Sequence, residues 1–212
     1  MIQVKKFIFN PFQVNTYVLS DDSGECVIID PGCSDGVESL QLMDYLKEKD
    51  LKPVHLLLTH THIDHVIGCN MVEEQLNIAP TAHKAGLVFL DHSTSTAQTY
   101  GLDLDKNPEV KNFIAEGDII RFGNSELEVL YTPGHADGSV CFYSKEDQFV
   151  IAGDVLFQMS IGRTDFPTGD FDLLKKSIFD KLFVLPEETL VYSGHGPETS
   201  IGFEKANNPF LA

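Results

Sequence analysis

Residues 59–65 read Thr59-His60-Thr61-His62-Ile63-Asp64-His65, so three of the eight histidines and a carboxylate fall in one short segment. They directly follow the apolar run Val54-His55-Leu56-Leu57-Leu58. In an extended or turning backbone His60 and His62 project to the same side, whereas Asp64 and His65 sit where a following helix would begin. One metal ion could take the first pair and a second metal ion the other. Imidazole and carboxylate suit zinc, iron or manganese, and the segment holds no sulfur for a thiolate site. The bland alternative is a polar loop with scattered histidines. It explains the density poorly, because structural zinc sites lean on cysteine and solvated loops rarely concentrate histidine.

Further ligands are placed by the same rule. His135 follows the strand-like run Leu127–Tyr131 through Thr132-Pro133-Gly134, Asp154 follows Phe149–Gly153, and His195 follows Leu190–Gly194. Asp30 ends the run Cys26–Ile29. If these strands shared one sheet with Val54–Leu58, five loops would meet along one edge, where rigid scaffolds gather functional side chains. Glycine beside His135 and His195 lets the backbone approach such a site closely. Asp30 reads equally as an acceptor for a ligand imidazole and as a turn former before Pro31-Gly32. His55 lies near a strand start, and His83 and His92 lie in a helix-like region with no strand before them, so these three are read as structural or surface residues. Cys69 has no base beyond the metal histidines and is read as a packing residue.

The elements that must position these groups are strand-like runs at 2–9, 14–20, 25–30, 54–58, 126–131, 139–144, 148–153 and 189–193. Between them, residues 35–49 place Val37, Leu40, Met43 and Leu46 on one helical face, and 64–76, 83–98 and 170–183 are further helices. The stretch from Ser93 to Asn112 is the least patterned and reads as an ordinary connection, with a mobile excursion near the site as the alternative. No linker, repeat or low-complexity tract divides the chain, so 1–212 is read as a single domain. The tail Asn207–Leu211 ends apolar and is read as a cap on the core.

Against 15 basic residues stand 32 acidic ones, a formal charge of −17 that argues against a nucleic-acid partner and an anionic membrane surface. Bound divalent metals would offset part of it. The four cysteines form no Cys-x-x-Cys pair, the N-terminus has no secretory pattern, and no long apolar run occurs. A reduced, cytoplasmic setting is the expectation. Oligomeric state carries no sequence signal.

The run His60-x-His62-x-Asp64-His65, with His135, Asp154 and His195, resembles the metallo-β-lactamase fold superfamily over essentially the whole chain. Asn15-x-Tyr17 and Asp30-Pro31-Gly32 resemble its early strands. The resemblance implies an α+β fold, an αββα sandwich of two mixed sheets packed face to face with helices outside. It implies one metal held by His60, His62 and His135, a second held by Asp64, His65 and His195, and Asp154 bridging them. The segment Ile161–Asp170 and the late His195-Gly196-Pro197-Glu198-Thr199 are most similar to the glyoxalase II-like subgroup, in the short form without its C-terminal helical domain. Arg163 matches a basic position in glutathione-thioester hydrolases. A carboxylate clamp suits its guanidinium, and a salt bridge to Asp165 or Asp170 competes for it.

The chemistry expected is hydrolysis. Paired divalent metals lower the pKa of a shared water from 15.7 toward about 7 and polarise the carbonyl that it attacks. The small-molecule substrate expected is a hydroxyacyl thioester such as S-lactoylglutathione, with Asp64 and Asp154 as the catalytic carboxylates and zinc as the metal. Persulfide dioxygenases of the same superfamily share the ligand motif, so an iron-dependent sulfur oxygenase is the alternative, with a lactonase beside it. A nuclease is disfavoured by the charge, and a non-enzymatic metal-binding module by the complete ligand set.

Overall fold

The computed structural model describes residues 1–211. The first half of the chain builds one sheet from β1 (Gln3–Phe9), β2 (Val14–Ser20), β3 (Glu25–Ile29), β4 (Lys52–Leu57), β5 (Pro80–His83) and β6 (Asn112–Ile114), paired in that order. Its first three strands are antiparallel and the rest parallel. The second half contributes β7 (Ile119–Phe122), β8 (Ser125–Tyr131), β9 (Val140–Ser144), β10 (Phe149–Gly153), the small hairpin β11 (Leu156–Phe157) and β12 (Ser160–Ile161), then β13 (Leu190–Ser193) and β14 (Thr199–Ser200). The second sheet runs β14-β13-β10-β9-β8-β7, with β10 and β13 parallel.

Alternation along the strands explains the layering. Tyr17, Leu19, Val27, Ile29 and Leu57 of the first sheet meet Phe122, Leu127, Val129, Phe142 and Ile151 of the second in one buried cluster. The intervening residues Val18, Cys26, Ile28 and Leu56 face outward and pack with Leu42, Leu46 and Val72 of two helices, α1 (Gly36–Glu48) and α3 (Cys69–Leu76). On the other side, Cys141, Val150 and Val191 pack with Leu174 and Ile201 of α6 (Phe171–Ser177) and α7 (Ile201–Asn207). Strands that are apolar on both faces must be covered on both, and the result is the α+β, αββα sandwich. Leu211 is buried in this outer cluster, so the tail caps the core. Among the described residues no helix is long and apolar enough to cross a membrane.

Several expectations need correction. The strands before the candidate ligands do not share one sheet: β3 and β4 belong to the first, and β8, β10 and β13 to the second. Face-to-face packing still brings their ends to one edge of the sandwich. In α1, Val37 and Leu40 are exposed, at 76% and 63%, and the buried face is Ser39, Leu42 and Leu46 with Met43 half-buried. Strict i+3 spacing drifts around a helix of 3.6 residues per turn, whereas 39, 42, 43 and 46 stay on one stripe.

The helix expected over 64–76 is broken into α2 (Ile63–Val66) and α3 at Gly68. A Cβ there would lie 2.5 Å from Cys33 Sγ and 2.6 Å from the Pro31 carbonyl oxygen, so this crossing accepts only glycine. The helix expected over 83–98 divides too. His83 ends strand β5, a 3₁₀ turn spans Lys84–Gly86, and α4 (Leu87–Leu90) and α5 (Ser93–Thr99) follow. The 170–183 helix is α6, capped by the Asp170 side chain on the Leu173 N–H and continued by a π turn over Ile178–Leu182.

Phe142 is fully buried between the sheets. Phe142→Ala is expected to lower stability by about 3–5 kcal/mol through lost burial and an unfilled cavity, read from the midpoint shift in denaturant unfolding.

Candidate metal centre

Four strand ends deliver the seven residues of the polar cluster, and a fifth, that of β3, carries Asp30 beside them. Beyond β4 the chain passes Leu58 and Thr59 to His60, and His62 occupies the N-cap of α2 with extended dihedrals (φ −66°, ψ 153°). The short helix then carries Asp64 and His65 one after the other. From the second sheet His135 follows β8, Asp154 follows β10 and His195 follows β13. The register between β10 and β13 shifts between Ile151 and Gly153, which re-aims the chain into the cluster. Gly194 leaves the room it needs: a Cβ there would stand 2.1 Å from Asp154 Oδ1 and 2.9 Å from His65 Cε1. Across the sandwich, the Asn15 N–H donates to the Gly194 carbonyl (2.7 Å) and the Tyr17 hydroxyl to the Ser193 carbonyl (2.6 Å), so the Asn15-x-Tyr17 motif ties β2 to the His195 loop.

The structure brings all seven sequence-predicted ligand positions together. Three overlapping groups have ligand atoms within 4.8 Å of one another: His60, His62 and His135; His60, His65 and Asp154; and Asp64, His65 and His195. His135 Nε2 lies 3.0 Å from His62 Nδ1, and His195 Nε2 lies 3.1 Å from Asp64 Oδ2. Asp154 sits between the groups, with Oδ1 3.4 Å from His65 Nε2 and Oδ2 3.5 Å and 3.7 Å from the Nε2 atoms of His195 and His135.

Hydrogen bonds at the far sides of the rings set which nitrogen faces inward. His65 Nδ1–H donates to Asp30 Oδ2 (2.9 Å), His135 Nδ1–H to the Arg163 carbonyl (2.7 Å) and His195 Nδ1–H to the Phe12 carbonyl (3.0 Å). These partners only accept, so each ring turns an Nε2 lone pair inward when neutral. For His60 the relay has one more step. The Thr59 hydroxyl donates to Asp30 Oδ2 (2.6 Å), so its oxygen is left to accept from His60 Nδ1–H (3.1 Å). Asp30 thereby orients two rings, one directly and one through Thr59, and also accepts the Thr59 N–H at 2.7 Å. Thr59 and the carbonyls of Phe12 and Arg163 were not singled out from sequence. Thr59 had a signal in its place directly before His60, whereas a backbone carbonyl has none.

The electrostatics suit a divalent cation. Burial, reinforced by the neighbouring histidines, drives the pKa of His60 well below its ordinary value, and burial with His135 brings His62 down to about 4. Both rings are therefore neutral near pH 7, the form in which an imidazole can bind a metal. Burial pulls on His65 in the same direction, but Asp64, Asp154 and Asp30 outweigh it and hold its pKa well above the ordinary value. Burial likewise disfavours ionisation of Asp64 and Asp154, and the surrounding histidines reverse this and hold both below the usual carboxylate range. Among the described residues His60 Nε2, His65 Nε2 and Asp154 Oδ1 are buried with no hydrogen-bond partner. A protein rarely buries three such atoms side by side, and metal ions are the partners that satisfy all three. The donor set of imidazole and carboxylate fits zinc, iron or manganese.

A cavity of about 820 Å³ opens over the cluster, within the range of small-molecule sites. Arg163 lines it, but its guanidinium is committed to Asp165 through two hydrogen bonds of 2.9 Å and 2.8 Å and lies over the Phe166 ring at 4.1 Å. Of the two partners weighed for it, Asp165 is the one engaged. Thr96 and Tyr100, from the stretch expected to be an ordinary connection, also line the cavity. The control histidines lie outside the cluster: His55 contacts the Arg121 carbonyl and His83 stacks on Tyr131.

Residues 9–195 match the metallo-beta-lactamase superfamily. The chain belongs to that superfamily. It is 42% identical over 204 residues to the "Probable metallo-hydrolase YqgX" of Bacillus subtilis, covering 95% of this chain and 93% of that protein. With the "Hydroxyacylglutathione hydrolase GloC" of Haemophilus influenzae it shares 38% identity over 202 residues, covering 94% and 93%. Among solved structures, BLEG-1 B3 metallo-beta-lactamase superposes with a TM-score of 0.88 at 37% identity, covering 99% of this chain and all of that one. TTHA1623, in a di-iron-bound form, superposes with a TM-score of 0.86 at 36% identity, covering 98% and 100%. A metallo-beta-lactamase fold that binds divalent metals, with a histidine-rich centre at its sandwich edge, agrees with the geometry above.

If Asp30 orients His65 and His60, then Asp30→Asn is expected to weaken metal binding by about 10–100-fold, measured by competition with a chelator. An affinity within about twofold of the parent protein would remove Asp30 from that role.

Proposed function

We propose that this metallo-hydrolase is a metal-dependent thioester hydrolase acting on hydroxyacyl thioesters. The observation that carries the reading is the inward-facing cluster of five imidazoles and two carboxylates beneath a cavity large enough for a small acyl thioester. The relative GloC, a hydroxyacylglutathione hydrolase by name, supports the reaction class. In this reading His60, His62 and His135 hold one metal ion, Asp64, His65 and His195 hold a second, and Asp154 serves both. When bound, the metals supply a Lewis acid for the acyl carbonyl and water activated near neutral pH.

The protein's own contribution is orientation and proton handling. Water adds to the acyl carbon, the carbon–sulfur bond breaks, and a carboxylic acid and a free thiol leave, with no oxidant consumed. Asp64 lines the cavity as an ionised carboxylate of the cluster, and the proton released when water adds leaves on the thiol. Asp30, Thr59 and the carbonyls of Arg163 and Phe12 keep the imidazoles in fixed tautomers, so no reorganisation is needed during turnover. Zinc is the proposed loading and the cytoplasm the proposed setting, supported by the donor set and by four buried free thiols. An iron-dependent sulfur oxygenase is the second reading, favoured by the two irons of TTHA1623.

The test is free-thiol release from S-lactoylglutathione and from the benzyl thioester of lactate by protein of known metal content, in a sealed cell with an oxygen electrode. Metal-dependent thiol release without oxygen uptake is expected, and Asp154→Ala is expected to lower kcat about 10³-fold or more with the fold retained by circular dichroism. Oxygen uptake with persulfide would transfer the assignment to the oxygenase. Near-normal turnover of Asp154→Ala would sink its bridging role.

A further inference from the structure

The walls of the cavity differ from its floor. The floor is the His and Asp cluster, and around it stand Phe12, Phe89, Tyr100, Phe157 and Phe166. They divide into two flanks. Phe89 and Phe166 set their rings edge-on to His62, with centroids at 4.8 Å and 5.7 Å. Phe157 approaches His195 at 6.3 Å on the other side, and Phe12 and Tyr100 meet edge to face at 5.1 Å. The substrate therefore meets an aromatic wall on the flank of each ligand trio.

Cationic groups are scarce in the same place. Among the described residues lining the cavity, Arg163 is the one lysine or arginine. Its charge is offset by Asp165 in a two-point contact, and its flat face is covered by Phe166. A substrate carboxylate arriving there would have to displace Asp165 or sit beside it, and it would approach a chain carrying a formal charge of −17. A glutathione thioester carries two carboxylates against one ammonium, so the chain's long-range field opposes it and Arg163, engaged by Asp165, offers its carboxylates little in return.

Resting on the thioester-hydrolase reading, we infer that the substrate of this protein is a hydroxyacyl thioester whose thiol side is uncharged and carries apolar, aromatic or branched groups. Phe12 and Tyr100 bind those groups. Both rings stay partly exposed, at 36% and 51%, so apolar surface remains for a substrate to cover. Edge-to-face and stacked contacts with substrate rings add to the area term.

The test compares two thioesters that share the lactoyl group and differ in the thiol, benzyl mercaptan against glutathione, by free-thiol release from metal-loaded protein. The benzyl thioester is expected to have a kcat/KM about tenfold or more above the glutathione thioester. Tyr100→Ala and Phe12→Ala are expected to raise KM for the benzyl thioester with kcat nearly constant, the pattern of lost uniform binding. Both positions lie outside the core clusters, so these variants keep the fold, checked by thermal unfolding. Asp165→Asn frees the guanidinium and is expected to raise kcat/KM for the glutathione thioester by up to about fivefold while leaving the benzyl thioester unchanged. A glutathione thioester hydrolysed as well as or better than the benzyl one overturns the inference and leaves the hydrolase reading intact. Thiol release from neither ester overturns the reading and the inference together.

Discussion

The candidate centre depends on one buried carboxylate. Asp30 is 1% exposed and left-handed at φ 52°, a conformation uncommon outside glycine and tolerated best by Asn and Asp. The Thr16 hydroxyl donates to its carbonyl at 2.6 Å and accepts the Gly32 N–H at 2.9 Å, which fixes the turn after β3. Its side chain reaches the loop after β4 by three hydrogen bonds, to the Thr59 N–H, the Thr59 hydroxyl and His65 Nδ1. The backbone of one strand end and the ring orientations of the neighbouring one thus come from a single residue. A conformation of this kind persists because the surrounding structure over-determines it.

The cost of gathering the centre is electrostatic. Five imidazoles and two carboxylates share a site where His60 and His65 are fully buried in a chain of net charge −17. The carboxylates and histidines balance one another: His65 and His195 hold Asp64 and Asp154 below the usual carboxylate range, and three carboxylates hold the His65 pKa above its ordinary value. A divalent cation held by His65 would displace any proton on its Nε2, which would couple metal binding to proton release. The orphaned nitrogens and oxygen at the centre are the structural counterpart of that exchange.

Around the centre the fold separates two tasks. The candidate ligands stand just beyond the ends of strands whose flanking residues are locked between the sheets. The walls come from connections: Phe12 from the β1–β2 turn, Tyr100 from the end of α5, Phe157 from the small hairpin and Phe166 from the loop before α6. A rigid floor with walls drawn from loops lets specificity vary without disturbing the ligand set.

By itself the sequence determined the type and spacing of the candidate ligands and the continuous apolar runs of the central strands. These are local properties: a histidine two residues from another, or a valine between two apolar neighbours, reads the same wherever the strand lies. The short and capped elements were less legible. Pro80–His83 is four residues of parallel strand whose partners lie far along the chain, and Gly68 splits a helix because Cys33 and Pro31 crowd it from another loop. Only the tertiary structure decided that the five strand ends belong to two sheets, that Asp30 reaches both His65 and Thr59, that Arg163 spends its guanidinium on Asp165, and that five aromatic rings face the same cavity. Each of these is a contact between residues distant in sequence, fixed by how two layers pack, and no local pattern of residue types encodes it.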